Sequence, residues 1–455
     1  MCIENKKILV IGLGVSGIAC VKGLSELKAQ VFVYDESPKE KLSERLKELD
    51  GIEAKYYFDD DVFSIDDIDL AIKSPGIKYE IPLIQELIAR NVKVISDIEA
   101  AYMINKSTIV SITGTNGKTT TTTLIGEIVK KSGRKYKLTG NIGYGMFYDA
   151  LYADEDEILV AETSSFQLAG TYEFKPHISV LTNITPDHLD FHHTLENYIS
   201  AKFNNIRNQD ENDFAILNYE DEIIRNYSKN IKAKIIFFSA DRVLEEGIFV
   251  QNDEIIYKDK SRTVSIVDVD DIFIPGKHNI ENALAAAGAC IALGINPEII
   301  SSVLKEFRGV EHRLEFSGIY NGVKFYNDSK GTNPDASIKA VQGIEKPIIL
   351  IAGGYDKKST YDEFIESFDN KVKALVLLGQ TADEIERCAR KHGFSNIYRV
   401  CNMDEAVKKC FELSNKGDNV VLSPACASWG MYPNYEVRGK DFKERVKYYG
   451  GCTKS

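Results

Sequence analysis

The chain lacks a basic excess. Its 56 lysines and arginines are outnumbered by 68 aspartates and glutamates, for a formal net charge of −12. A protein that grips nucleic acid without sequence preference needs a basic face to displace counterions, so the charge balance argues against that class. It does not argue against a small anion held in a local positive pocket. The chain also lacks any C-x-x-C pair. Its eight cysteines, Cys2, Cys20, Cys290, Cys388, Cys401, Cys410, Cys426 and Cys452, are scattered. That speaks against a zinc site or dithiol redox centre and fits free thiols in a reducing, cytoplasmic compartment. Long apolar runs are missing too. The run behind residues 1–7 breaks at Gly12 and Gly14, so neither a signal peptide nor a membrane span is expected there. There is no low-complexity tract and no repeat at solenoid period. A composition of 44% hydrophobic and 27% charged residues is that of a globular protein, and 455 residues suffice for about three domains with full cores.

What is present centres on Gly114-Thr115-Asn116-Gly117-Lys118-Thr119-Thr120. The apolar residues 109–112 lead in, and a helix-compatible run, residues 121–131, leads out. Strand, glycine-rich turn, lysine, hydroxyl and helix is the order that holds a nucleotide triphosphate. Glycines let backbone N–H groups close on phosphate oxygens, Lys118 supplies a point charge, and Thr119 can ligate Mg²⁺. The turn is shorter than the common eight-residue pattern, because Ile112 stands where that pattern wants a glycine. A tight strand-to-helix turn that merely contains Gly-Lys-Thr is the alternative reading.

Three segments follow from the patterning. In the first, residues 7–11 form a buried parallel strand, Gly12-x-Gly14-x-x-Gly17 opens a helix running through Leu27, and residues 31–34 form a second strand ending at Asp35. Residues 70–72 and 92–95 read as further strands, with Ser74-Pro75-Gly76-Ile77 at the carboxyl end of the former, where open α/β sheets bind ligands. The second segment holds the phosphate-type turn and an apolar strand, residues 157–162, that ends in Glu162. Another strand, residues 177–183, delivers Asp187, His188 and Asp190 into a loop. Residues 234–274 alternate short β-rich runs with turns and predict an antiparallel flank. Asn279 and Asn282 open a small-residue helix over residues 281–293. The third segment alternates strands at residues 323–326, 348–351, 375–378 and 420–422 with helices at 361–368, 381–392 and 403–414. It carries no glycine fingerprint, and polar residues gather at its strand ends.

Taken in order, GTNGKTT, Glu162 with Ser164-Ser165-Phe166-Gln167-Leu168, Thr185-Pro186-Asp187-His188-Leu189-Asp190, His278-Asn279-x-x-Asn282-Ala283, His312-Arg313, Asn327-Asp328-Ser329-Lys330-Gly331-Thr332-Asn333 and Ser423-Pro424-Ala425-Cys426-Ala427-Ser428 resemble the motif series of the Mur ligases of peptidoglycan synthesis. The likeness spans essentially the whole chain. Within the family it is nearest to the branch that adds D-glutamate to UDP-N-acetylmuramoyl-L-alanine. The resemblance implies an α/β protein of three domains. Residues 1–97 would be Rossmann-like and bind UDP, 98–309 would be a P-loop-type ATPase domain with the antiparallel flank, and 310–455 a second Rossmann-like domain that takes the amino acid. It implies an ATP-dependent ligase that works through an acyl phosphate, acts as a monomer, and needs neither nucleic acid nor membrane.

The same resemblance implies roles. Gly114, Thr115, Asn116, Gly117, Lys118, Thr119 and Thr120 would cradle ATP, with Asn279, Asn282, Arg313 and Asp328 at its adenosine end. Thr119 and Glu162 would serve a first Mg²⁺ and His188 a second. Lys202, which by itself reads as a solvated helical lysine, would carry a carbamate and donate oxygen to metal. Lys118, Glu162, His188 and Lys202 form the implied catalytic set. Gly14, Val15, Ser16, Asp35, Glu36, Ser74, Gly76 and Asn141 would bind the UDP substrate, Asp35 being equally readable as a strand-end acid without ligand. Lys330, Thr332, Lys357, Ser428 and Tyr435 would surround D-glutamate. Two cations and two hydroxyls suit a dicarboxylate. Gly430 and Pro433 depart from the family, which often has an acid and a lysine at these positions. Other readings stay open: a sibling ligase with a different amino acid, a nicotinamide oxidoreductase built on Gly12-x-Gly14-x-x-Gly17, and a non-catalytic nucleotide-binding module.

Overall fold

The computed structural model describes residues 3–58, 60–274, 276–355 and 359–452. They divide into two compact units, Met1–Ile272 with Lys277–Glu306, and Phe273–Gly276 with Phe307–Ser455.

The first unit contains two sheets. β1 (Lys7–Ile11), β2 (Gln30–Tyr34), β3 (Ala54–Tyr57), β4 (Leu70–Lys73) and β5 (Lys93–Ser96) form a parallel sheet in the order β3-β2-β1-β4-β5. The chain winds outward from β1 in one direction and from β4 in the other. The gap between their carboxyl ends is therefore a switch point where a ligand can enter. β6 (Thr108–Thr113), β7 (Tyr136–Gly140), β8 (Ile158–Glu162), β9 (Ile178–Leu181), β10 (Phe214–Asn218), β11 (Lys234–Ser239), β12 (Gly247–Gln251), β13 (Glu254–Lys258) and β14 (Thr263–Asp268) form the second sheet, in the order β14-β13-β12-β11-β10-β9-β6-β8-β7. β6 lies between β8 and β9, so the phosphate-type turn leaves a second switch point.

The flank of this sheet is less antiparallel than its sequence suggests. β11 runs parallel to both β10 and β12, and only β12, β13 and β14 alternate in direction. The reason lies in the turns. Asn252 and Asp253, at φ +51° and +61°, make a two-residue hairpin. Asp259 caps the next one through the N–H groups of Ser261 and Arg262. Residues 240–246 form no tight turn, and β11 meets β12 over just two residue pairs.

The two sheets share one unit because their junction is buried and bonded. Ser96 N–H donates to Gly170 O at 2.9 Å, and Gln167 Nε2 to Asp97 Oδ2 at 2.9 Å. The Glu99 carboxylate accepts from the N–H groups of Tyr172, Glu173 and Phe174. An apolar cluster runs through this junction, from Ile8 and Val21 to Phe147, Leu159 and Phe174.

In the second unit, β15 (Glu315–Tyr320), β16 (Val323–Asn327), β17 (Ile348–Ala352), β18 (Val372–Leu377), β19 (Ile397–Arg399) and β20 (Asn419–Leu422) are ordered β15-β16-β20-β17-β18-β19. All pairings are parallel except β15 with β16. Cores fill both faces, as a doubly covered parallel sheet requires. Among the described residues six cysteines are free, and no helix is long and apolar enough to cross a membrane.

Candidate active site

The first switch point opens into a cavity of about 780 Å³. Gly14, Val15, Ser16, Asp35, Glu36, Ser74, Gly76 and Asn141 all line it. Its floor is the glycine turn after β1. A Cβ at Gly17 would lie 1.9 Å from Gly12 O, so only glycine lets the helix Val15–Glu26 pack this close. Nothing lies within 4 Å of a Cβ built on Gly14, which leaves the backbone open to an approaching ligand. Asp35 lines the cavity, yet its carboxylate is committed. Oδ2 accepts from Leu13 N–H at 2.7 Å and Oδ1 from Ser37 N–H at 2.9 Å. It organises the turn.

At the second switch point, residues 114–120 link β6 to the helix Lys118–Lys131, whose N-cap residue Gly117 supplies no side-chain cap, the kind of helix start that suits an anion. Lys118 Nζ curls back to Gly114 O and Thr115 O, at 2.8 and 2.9 Å. Thr119 and Thr120 sit buried in the first helical turn. Gly117 has φ +82°, and a Cβ there would lie 2.3 Å from Asn282 Oδ1. The helix Lys277–Ala292, four residues longer at its start than the sequence suggests, brings Asn282 against the turn. Asn282 Nδ2 donates to Asn279 Oδ1 at 3.2 Å, and Thr121 Oγ1 to Asn282 Oδ1 at 3.3 Å.

Several supports of this turn escaped the sequence reading. Asn183 Oδ1 accepts from Asn116 N–H at 2.9 Å, Thr182 Oγ1 donates to Asn116 O at 2.6 Å, and the Thr115 and Tyr198 hydroxyls meet at 2.9 Å. Asn183 stood at a strand end in the sequence, a position that could have marked it. Tyr198 and Thr182 carried no such signal.

Glu162 ends β8, directly opposite Ile112 of β6. Its Oε1 accepts from Asn141 Nδ2 at 2.9 Å, while the buried Oε2 has no partner. An orphaned carboxylate oxygen beside a phosphate-type turn is a donor that a hard dication would satisfy. Asn141 thus touches both sites: it lines the cavity and fixes Glu162. Lys202, on the helix Leu195–Phe203, is not a solvated surface charge. It is buried, donates to Gly114 O at 2.7 Å, and lies 4.6 Å from the Tyr198 ring centroid. Burial, with Lys118 nearby, pushes its pKa well below the ordinary lysine value, against the opposing pull of Asp187. His188 is half exposed, with φ +52°, Nε2 3.4 Å from Asp187 Oδ2, and its ring 4.7 Å from that of Phe166. His192, which the sequence reading passed over, is buried beside it. Its Nε2 meets Ser165 Oγ at 3.0 Å, and burial, then Lys202 and His188, lower its pKa to about 4, leaving it neutral.

The second unit gathers its own set at the carboxyl ends of β16 and β20. Asp328 Oδ2 accepts from Ser423 Oγ at 2.7 Å and Oδ1 from Leu314 N–H at 3.2 Å. Burial raises its pKa to about 6, although Ser423 and Arg313 favour the charged form. Arg313 is exposed. Lys330 Nζ lies 5.8 Å from the Tyr435 ring centroid, and Thr332 N–H donates to Lys330 O at 2.9 Å. Ser428 is buried, its carbonyl accepting from Tyr432 N–H. Lys357 lies outside the described residues. Arg438 was missed, since a lone arginine in the helix Tyr435–Cys452 has no telling spacing. It is buried and donates to Ser329 Oγ, Ser329 O and Cys426 O at 3.0, 2.8 and 3.1 Å, joining the two motif loops.

Three family models match the chain: the Mur ligase MurD-like N-terminal domain over residues 6–96, the Mur ligase middle domain over 112–290, and the Mur ligase glutamate ligase domain over 312–426. A UDP-N-acetylmuramoylalanine–D-glutamate ligase of Alkaliphilus oremlandii is 48% identical over 98% of this chain and 99% of its own. The chain belongs to the Mur ligase family. Its fold is shared by other Mur ligases of low identity. A UDP-N-acetylmuramate–alanine ligase of Thermotoga maritima superposes with TM-score 0.60 at 19% identity, covering 97% of this chain and 99% of its own. The MurF ligase of the same organism, in complex with ADP, gives 0.57 at 17% identity over 99% of each chain.

Proposed function

We propose that this Mur ligase joins D-glutamate to UDP-N-acetylmuramoyl-L-alanine at the expense of ATP, a step of peptidoglycan precursor synthesis. The observation that carries the reading is Asn141, which borders the cavity and holds Glu162 beside the phosphate turn. A nucleotide-sugar seated in the first would present its far end to the second. Names borne by full-length relatives at 46–48% identity support the amino acid chosen.

A carboxylate is inert toward an amine at neutral pH because its leaving group is poor. ATP converts the substrate carboxylate to an acyl phosphate. The D-glutamate amine attacks its carbonyl carbon, and the tetrahedral intermediate expels phosphate to leave an amide, with ADP released. No protein nucleophile is needed, so catalysis is positioning and charge neutralisation. Residues 114–120 cradle the phosphates, and Asn279 and Asn282 adjoin that cradle. Arg313 and Asp328 are read as further ATP contacts. Lys330, Thr332, Lys357, Ser428 and Tyr435 would take the two carboxylates of D-glutamate.

The orphan oxygen of Glu162 is a donor suited to Mg²⁺; with the Thr119 hydroxyl it would hold one ion, and His188 with a modified Lys202 would hold a second. Such ions, when bound, neutralise phosphate charge. Lys202 suits carbamylation because burial lowers the pKa of its amine well below the ordinary lysine value and so favours the nucleophilic free base. Its nitrogen would bond to the carbon of CO₂ and lose one proton to water, turning an amine that would repel cations into an oxygen donor. We further read the domain limits as 1–97, 98–309 and 310–455, and the protein as a cytoplasmic monomer. An amino-acid panel with Mg·ATP tests the assignment. Phosphate release from UDP-N-acetylmuramoyl-L-alanine should require D-glutamate, and release with L-alanine or lysine but not D-glutamate would reject it.

A further inference from the structure

Lys73 is a lysine in a place that strongly disfavours one. It ends β4, wholly buried behind the cavity wall. A buried ammonium needs replacements for its lost water. Lys73 Nζ donates to Ile77 O at 3.0 Å and Pro75 O at 3.4 Å, and it lies 4.8 and 5.6 Å from the ring centroids of Tyr79 and Phe191. These partners come from two places. Pro75, Ile77 and Tyr79 belong to residues 74–81, most of which line the cavity. Phe191 lies in the one-turn helix Leu189–His192, which ends the loop that carries His188, and both Phe191 and His188 pack on Phe166, each with centroids 4.7 Å apart. The same two stretches meet again at the surface, where Lys78 Nζ donates to Asp190 O and His193 Nε2 meets Glu80 Oε1, each at 2.8 Å. Exposed contacts of that kind contribute little alone. Lys73 is the buried member of the set.

We propose that Lys73 is a positioning residue that braces the wall of the nucleotide-sugar cavity against the His188 loop, so that seating the substrate and aligning its reacting end are coupled. This rests on the reading of the cavity given above. Lys73 itself does not line the cavity, so it acts through the loop carbonyls and ring faces it holds. The groups facing it are the Asp97 carboxylate from the helix after β5, and Glu80 and Tyr79 from the wall. Glu80 is in turn paired with His193. Burial lowers the Lys73 pKa to about 8 against the pull of Asp97 and Glu80, while burial pushes the Tyr79 phenol up. The brace is therefore present at neutral pH and released as pH rises through that value.

The test uses the full chain and UDP-N-acetylmuramoyl-L-alanine. Calorimetric affinity is measured without ATP, for wild type and Lys73→Met, alongside KM and kcat at neutral pH. Between about pH 7 and about pH 9 the wild type should lose about tenfold in affinity, as expected when one proton on a group of pKa near 8 is required. Lys73→Met should bind about tenfold more weakly at neutral pH, show no such pH dependence, and lose kcat while its KM for ATP stays within about twofold. Unchanged affinity, or KM values for ATP and nucleotide-sugar rising in parallel as in a loosened structure, overturns the proposal. Should Lys73→Met not fold, the wild-type series decides, and a flat profile refutes the brace. Absence of wild-type binding at every pH would instead refute the cavity assignment itself.

Discussion

Asp328 allows a quantitative check on the second unit. Consider Asp328→Asn. The carboxyl is buried, and its pKa rises from the ordinary 3.8 to about 6. Unfolded chains release this proton near the ordinary value, whereas the native protein holds it about two pH units further. In that window the native state binds more protons. The stability contributed by the raised pKa is whole below about pH 4 and is lost as pH rises through about 6. A shift of that size corresponds to about 3 kcal/mol. The amide is neutral throughout, as the protonated acid is, and avoids this cost. The variant should therefore be more stable than wild type by about 3 kcal/mol at neutral pH, with the difference largely gone near pH 4, where the native wild-type carboxyl is protonated. Urea unfolding of the full chain across this range, read on the transition of the second unit, measures it. Arg313→Met should move the wild-type midpoint upward, because Arg313 favours the charged form. Turnover should fall in Asp328→Asn although stability rises. A stability difference that stays constant from pH 4 to 7 would refute the reasoning.

Other substitutions probe the first unit. Gly117→Ala places a methyl 2.3 Å from Asn282 Oδ1 in a left-handed backbone, so thermal unfolding should show a loss of about 1–2 kcal/mol, and phosphate release should fall at least tenfold. Glu162→Gln keeps the acceptor for Asn141 but turns an NH₂ toward the orphan position. Turnover should fall about a hundredfold with no drop in melting temperature, and retained turnover would remove Glu162 from the metal set. Lys202→Met should abolish turnover while leaving stability unchanged or higher, since a buried amine with one hydrogen bond is replaced by an apolar side chain. Wild-type activity should drop in CO₂-depleted buffer and return with bicarbonate, and indifference to bicarbonate would argue against the carbamate.

Much of the sheet structure was legible. β17 is apolar throughout, and β1, β4, β8 and β20 each hold three or four consecutive apolar residues with a polar or charged one only at an end, as strands buried on both faces tend to. β3 and β19 were not found because they are short edge strands of mixed polarity, and β7 begins with half-exposed Tyr136 and Lys137. The direction of β11 was not readable, since turn residues reveal hairpins but not parallel returns.

Motif order along the chain determined by itself which chemistry is available here: glycine turns after strands, acids and amides at strand ends, and lysine and hydroxyl at a helix start. Local geometry suffices for that, because these residues act on backbone within a few positions of their own. Only the tertiary structure decided the rest. It made Lys202 a buried amine instead of a surface charge and gave Asp35 to the backbone of its own turn. It left one oxygen of Glu162 without a partner, and it brought Lys73, Arg438, Asn183 and His192 into play. Desolvation and hydrogen-bond satisfaction depend on what the rest of the fold packs around a group, and residues far apart in the chain supply those neighbours.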